Sequence, residues 1–458
     1  MNIAVHSPVT PVGPVHPVPA SRLLRAVLWV IPLAAVAGPL PQFGPAWMLA
    51  LGGVALAALA DLVWSLHQTR LPEPGLPEAV RFSKDRVGAV PVRFTHQGGE
   101  PVRLRFGLGL PAEFEASLPD AWVEFPAGAT RASITWACTP RRRGRFSAGP
   151  ACLEIESRWK FWHLRAKCPT RCELRVYPNL FTERKQLAAL FLNRGLFGAK
   201  VQRTVGRGRE FEKLREYQPG DGFDEIHWKA TAKRGRPVTK IFQVERTQEV
   251  CVIIDASRLS ARPVAREGGS VTTLERYLAA ALVLLLATER QGDRFGLVAH
   301  SDRIRVFLRA GNGETHYGAC REAVHALEPD EVTPDLAELF SFLRLRLRRR
   351  TLLFFLTDLS DPVLAEDFVR HVPLLARQHL VLVNQLRAPG MGQLFAGDPV
   401  TTTGEIYTRL GGHLQWREAR ELADRLRPLG VTASLLENET LAAQLVTQYL
   451  QVKRRQLL

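Results

Sequence analysis

Hydrophobic and polar positions change period along the chain, and each change marks a different kind of element. Residues 23–40 and 46–66 are nearly continuous apolar runs, with Arg25 near the start of the first and Asp61 near the end of the second. Such lengths are about what a helix needs to cross a bilayer core. The pattern therefore predicts a two-helix transmembrane hairpin over residues 21–70, closed by the proline-rich connection 39–45. Trp29, Trp47 and Trp64 stand where interfacial aromatics anchor the ends of spans. A cleaved signal peptide is the competing expectation for Arg22, Arg25 and the first run, but the second run is of equal strength. Residues 1–20, rich in Pro, Val and His without any period, are expected to form a disordered tail.

From 78 to 178 the alternation has a period of two. The runs at 90–95, 102–106, 132–137 and 174–177 each read as half-buried strands. An antiparallel β-sandwich-like domain follows from that spacing. Trp159, Phe161 and Trp162, beside Arg158 and Lys160, read either as core aromatics of a strand or as a membrane-surface or partner patch, and the strand core is favoured.

After a segment at 179–247 rich in charges, aromatics and turn signals, residues 248–458 alternate strands with helices. Val250 to Ile254 and residues 351–357 are short apolar runs of the kind that form fully buried strands, and 272–290 carries a leucine stripe at helical spacing. Further strands are expected at 295–300, 304–308, 379–386 and 431–436, and helices at 314–327, 334–349, 405–426 and 440–453. The fold class is an α/β doubly wound domain at the C-terminal end, with a mostly parallel sheet covered on both faces.

Charge changes this picture in one place. Of a net charge of +16, residues 141–215 hold 19 Lys or Arg against 6 Glu. Such a belt fits anionic lipid headgroups or nucleic acid as well as an ordinary solvated face; no specific nucleic acid is expected. The six cysteines offer no zinc spacing and read as reduced thiols of a cytosol-facing protein. Positive residues flank the outer ends of the apolar pair and its connection has none, so both termini are expected in the cytoplasm.

The candidate chemistry sits where buried strands end. Asp255 and Ser257 follow the first strand of the α/β domain; Asp358, Ser360 and Asp361 follow the strand at 351–357. If those strands are neighbours, their carboxylates converge on one rim. Oxygen donors of this kind suit Mg²⁺ or Mn²⁺. A metal-dependent hydrolase using Asp255, Asp358 and His300 is an alternative to a binding role.

This rim resembles the metal-ion-dependent adhesion site of the von Willebrand factor A fold, in which Asp-x-Ser-x-Ser, a Thr and an Asp hold the ion. The resemblance implies Asp255, Ser257, Thr333 and Asp358 as metal ligands, with Leu259 standing in place of the second Ser. Arg215-Glu-Tyr-Gln-Pro-Gly-Asp221 and Ile226-His-Trp-Lys-Ala-Thr-Ala-Lys233 resemble the signature of the bacterial "domain of unknown function" family numbered fifty-eight. Arg215, Tyr217, Gly220, Asp221, His227, Trp228 and Lys229 are then either a docking surface or an internal network with Trp228 as its buried plug, the latter favoured. The family resemblance implies a MoxR-type AAA+ ATPase as partner. No P-loop occurs in this sequence, so ATP chemistry would belong to that partner. The expectation is a non-enzymatic adaptor in the bacterial inner membrane that also contacts the lipid bilayer; an anionic-lipid or nucleic-acid binder working through the belt 141–215 is the other alternative.

Overall fold

The computed structural model describes residues 13–37, 46–68, 70–97, 101–193, 205–218, 223, 226–243, 247–266, 269–394 and 402–455. The connection 39–45 and the signature residues Gly220 and Asp221 lie outside them. The chain divides into two compact units, Met1–Asn179 and Leu180–Leu458.

In the first unit, strand β1 (His16–Pro19) precedes helices α1 (Ser21–Ala37) and α2 (Ala46–Gln68). β1 corrects the expectation of a tail disordered through residue 20: His16–Pro19 pair antiparallel with 162–165, because an extended Pro- and Val-rich segment can complete a sheet edge without any period of its own. Within α2, Trp47–Gln68 is long and apolar enough to cross a membrane, while α1 has 17 described residues and carries Pro32.

Eleven further strands follow: β2 (Glu73–Gly75), β3 (Ala79–Ser83), β4 (Gly88–Thr95), β5 (Val102–Leu108), β6 (Phe114–Ala116), β7 (Ala121–Phe125), β8 (Arg131–Pro140), β9 (Gly144–Ser147), β10 (Ala151–Glu156), β11 (Trp162–Cys168) and β12 (Glu173–Tyr177). They form sheets ordered β1-β11-β10-β5-β7, β2-β4-β8-β6 and β3-β12-β9. Alternate residues point inward, and Val90, Val92, Phe94, Leu104 and Phe106 are fully buried. Phe106 is packed edge to face between Phe94 and Trp136, with ring centroids at 5.0 and 5.3 Å.

The second unit begins with α3 (Phe181–Asn193), β13 (Val205–Glu216), α4 (Trp228–Arg234) and β14 (Val238–Gln243), with β13 and β14 paired antiparallel. The α/β domain then runs β15 (Glu249–Asp255), the small pair β16 (Pro263–Arg266) and β17 (Gly269–Thr272), α5 (Thr273–Arg290), β18 (Arg294–His300), β19 (Ile304–Gly311), α6 (Glu314–His325), α7 (Leu336–Arg346), β20 (Thr351–Leu356), α8 (Pro362–His371), α9 (Pro373–Ala376), β21 (Leu380–Leu386), α10 (Thr403–Leu426), β22 (Val431–Leu436) and α11 (Leu441–Arg455). Local sequence sets several helix starts: Thr272 accepts from the Glu275 N–H and Thr402 from the Glu405 N–H, each with Glu three residues on, as in a capping box.

The six-stranded sheet has the order β19-β18-β15-β20-β21-β22. All its pairs are parallel except β18 with the edge strand β19. β15 shows why both faces must be covered. Val250, Val252 and Ile254 join the core formed with α5 and α11, whereas Cys251 and Ile253 join the core formed with α7 and α8. A strand buried on both sides has no polar face, hence the unbroken apolar run. Numbered within the sheet, the order is 3-2-1-4-5-6, so the direction of winding reverses at the first strand. The crevice at that reversal is where doubly wound sheets bind ligands.

Candidate functional site

β15 and β20 are neighbours, registered Ile254 with Leu356, so the residues that follow them share the carboxyl edge of the sheet at its switch point. Asp255 is buried to 1% exposure. One of its oxygens accepts from the Ser257 N–H at 2.9 Å and the other from the Thr357 hydroxyl at 2.9 Å. These bonds satisfy a carboxylate that would be costly to bury alone. Ser257 is also fully buried, and its hydroxyl has no hydrogen-bond partner.

Asp358 is held differently. One oxygen accepts from the Ser360 N–H and from Gln385 Nε2, each at 2.9 Å, and the other from Arg262 Nη1 at 2.5 Å. The same Arg262 nitrogen donates to the Ser360 hydroxyl at 3.0 Å. Asp361 caps α8 through the Val363 N–H and lies 3.6 Å from the Arg258 guanidinium. Two arginines from the segment after β15 thus reach across to the acidic loop after β20. Sequence reasoning missed both; the visible signal is Arg258 and Arg262 within a few residues of Asp255.

Thr333 is exposed. Its loop borders the rim, since the Val332 carbonyl accepts from the Arg258 N–H at 3.1 Å, but its side chain is not packed among the buried donors. Leu259, in the place of the second Ser of an adhesion site, is buried, and the Ser260 hydroxyl donates to the Ser257 carbonyl at 2.8 Å. These residues do not fit a divalent ion as they are arranged. Asp358 is neutralised by a guanidinium, one ligand position is apolar, and Ser257 alone offers an unused buried oxygen. Among the described residues, no group of three or more His, Cys, Asp or Glu is placed to hold a metal.

His300 ends β18 beside Asp255 and is 1% exposed. Burial pushes its imidazole below the ordinary histidine range, against the opposing pull of the Asp255 charge. Tyr277, buried behind the rim, accepts from the Leu386 N–H and donates to the Thr357 carbonyl, each at 3.3 Å, and burial raises its phenol.

The signature arm is arranged otherwise than expected. α4 has no buried residue: Trp228 is 67% exposed and Phe223, across from Tyr217, 75% exposed. A buried Trp228 plug is therefore overturned. The reason is local: the helix is seven residues long and is held through its ends. His227 Nδ1 accepts from the Ala230 N–H at 3.0 Å, Thr231 Oγ1 accepts from the Val238 N–H at 3.1 Å, and Gly235 closes the helix in the left-handed region. Arg215 donates to Gln218, and Lys229 lies on the same short helix.

Among the described residues, part of the basic belt is matched by carboxylates. Arg141 pairs with Glu115 at 2.7 Å, Arg145 and Arg175 both pair with Glu173, and Arg165 pairs with Glu154 at 2.6 Å. The described cysteines are free. Burial pushes the Cys251 thiol up to about 12 and those of Cys138 and Cys172 to about 11, which leaves all three inert at neutral pH.

Fold and rim together define a doubly wound α/β domain with an acidic switch-point edge. Residues 213–406 match the family model described as "Protein of unknown function DUF58". That stretch runs from the signature arm through the sheet, so the resemblance seen in residues 215–233 is shown over this region. Uncharacterised proteins of Mycobacterium bovis and Mycobacterium tuberculosis are 28% identical over 198 residues, 42% of this chain. The match spans 60% of the length of these curated relatives. Among solved structures, the SpRpn10 VWA domain aligns over 44% of this chain and 95% of its own, with a TM-score of 0.27 and 9% identity. Proximal thread matrix protein 1 of the mussel byssus aligns over 44% of each chain, with a TM-score of 0.24 and 11% identity.

Proposed function

We propose that this protein is a membrane-anchored, non-enzymatic adaptor whose second unit binds a partner protein. On this reading α1 and α2 form a transmembrane hairpin in the bacterial inner membrane, with both termini and the folded units in the cytoplasm. The observation that carries the binding role is the signature arm. Its Phe223 and Trp228 are exposed to 75% and 67%, and Trp228 shares one short helix with Lys229, Lys233 and Arg234. An exposed tryptophan on the same short helix as an arginine has the composition of an interface hot spot. The acidic edge, with its self-paired arginines, supports recognition better than turnover, since the one histidine beside it is enclosed.

The family resemblance implies a MoxR-type AAA+ ATPase as the partner, acting in maturation or assembly of other proteins. Affinity capture of the full chain from detergent-solubilised membranes, with ATP and with ADP, tests this. The ATPase is expected in the wild-type eluate and strongly reduced with Trp228→Ala; its absence under both nucleotides, with the adaptor intact, overturns the reading.

A further inference from the structure

The tip of the β10–β11 hairpin, residues 157–161, and the end of α2 share one polar knot. Asp61 is the single charged residue of the apolar segment 46–66, and it is 1% exposed. Its carboxylate accepts from the Ser157 hydroxyl at 2.6 Å, the Trp159 N–H at 3.0 Å and the Phe161 N–H at 3.3 Å. Trp162 Nε1 donates to the Ala58 carbonyl at 2.8 Å, and the Arg158 guanidinium lies 5.4 Å from the centre of the Trp64 ring. The start of α1 arrives at the same tip, because β1 pairs with β11 and the Ala20 N–H donates to the Phe161 carbonyl at 2.8 Å.

Burial along α2 shows how far down the helix the tip reaches. Ala58, Asp61 and Ser65, spaced along one face, are buried, while Leu56, Leu59, Val63 and Leu66 on the other faces are exposed. At a rise of about 1.5 Å per residue, the helix covers only about 17 Å between Trp47 and Ala58. A hydrocarbon core is about 30 Å thick. With Trp47 at the far boundary, the near boundary falls at about residue 67, well past the level at which the tip meets the helix. The tip therefore does not stop above the bilayer.

From this geometry, and resting on the transmembrane reading of α2, we propose that residues 157–161 are immersed in the near leaflet. Trp159, 51% exposed, then lies among the acyl chains at the level of Asp61, about 9 Å inside the near boundary, and Arg158, over the Trp64 ring, is the cation placed nearest the lipid phosphates. The knot removes the two obstacles to such immersion. Unpaired peptide N–H groups are costly in hydrocarbon, and so is a lone carboxylate; here each satisfies the other. Lys160, at a φ of 61°, turns the chain tightly enough to keep the inserted segment short, and its amine is 2.9 Å from Glu156. The first unit is thus held against the membrane by its own sheet as well as by the helices.

The test uses the full chain reconstituted in phosphatidylethanolamine/phosphatidylglycerol vesicles, with and without brominated acyl chains, as wild type, Trp159→Phe and Trp122→Phe. Trp122 lies on β7, the opposite edge of the sheet that contains β11. The emission assigned to Trp159, taken as wild type minus Trp159→Phe, is expected to be blue-shifted and quenched by the brominated lipid. That assigned to Trp122 should be indifferent to it. Flotation of the protein with the vesicles but no quenching of the Trp159 component overturns the immersion while leaving the anchor in place. Failure to float with lipid overturns the anchor and the immersion together.

Discussion

Replacing Arg262 by alanine tests what the acidic edge is for. The guanidinium is 53% exposed, whereas the Asp358 side chain it meets is only 14% exposed. Two unit charges about 4 Å apart attract by about 4 kcal/mol at an effective dielectric of about 20. Exposure of the arginine and the cost of ordering its long side chain reduce the net value to about 1 kcal/mol. Asp358 keeps two donors after the substitution, Ser360 N–H and Gln385 Nε2, so no orphaned carboxylate is left to add to the loss. In a domain of this size that lowers the melting temperature by about 2–4 °C. The second consequence is electrostatic. Without its internal counter-ion the edge keeps Asp255 and Asp358 at negative charge, beside the unpartnered hydroxyl of Ser257. Mn²⁺ affinity, read by the loss of free-ion paramagnetic resonance signal, is expected to rise about tenfold or more, equivalent to about 1.4 kcal/mol. Asp358→Asn added to Arg262→Ala should remove the gain. Wild-type protein that binds Mn²⁺ as tightly as Arg262→Ala would refute the view that arginine occupies the place of the cation.

Four further outcomes follow from other parts of the structure. Arg276 and Glu183 form a pair at 2.8 Å with side chains 7% and 4% exposed, joining α3 to α5; Glu183→Ala should cost about 3 kcal/mol in urea unfolding, because the buried guanidinium loses its counter-charge while keeping its bonds to Asn438. Burial lowers the imidazoles of His300 and His379. Above about pH 6.5 both are neutral in the folded and unfolded states; below it the unfolded chain takes up protons that the fold resists, so stability should fall by up to about 1.4 kcal/mol per pH unit for each, until the lowered folded values are reached. Unfolding curves between about pH 7.5 and 5 check this, and a stability that rises on acidification contradicts it. A methyl group at Gly412 would overlap the Gly390 carbonyl oxygen, so Gly412→Ala should force α10 away from that loop and lower the melting temperature, whereas Gly411→Ala, which meets nothing, should not. Phe106→Ala, which removes the ring packed between Phe94 and Trp136, should cost about 3–5 kcal/mol of the first unit's stability.

Period and punctuation in the sequence determined the elements: the two apolar helices, the alternating strands at 90–95 and 102–106, and the order of strands and helices after Val250. These are local consequences of burial on one face, on both faces, or on all sides of a helix, and burial is written in residue type. The sequence also placed Asp255 and Asp358 at strand ends, because buried runs that stop at a carboxylate are visible without a fold. It did not show what those carboxylates face. Arg262 meets Asp358 across 96 residues of chain, and Asp61 meets Ser157 across another 96. Nothing local to either partner encodes such a meeting. The same holds for β1, a segment without a period that became a strand because the edge of β11 was open, and for Trp228, whose exposure follows from how its short helix is tied at both ends. Residue type and period are local and so fix elements and charge; partners, and the exposure of a residue such as Trp228, follow from strand order and register, because contacts across long loops do not depend on composition.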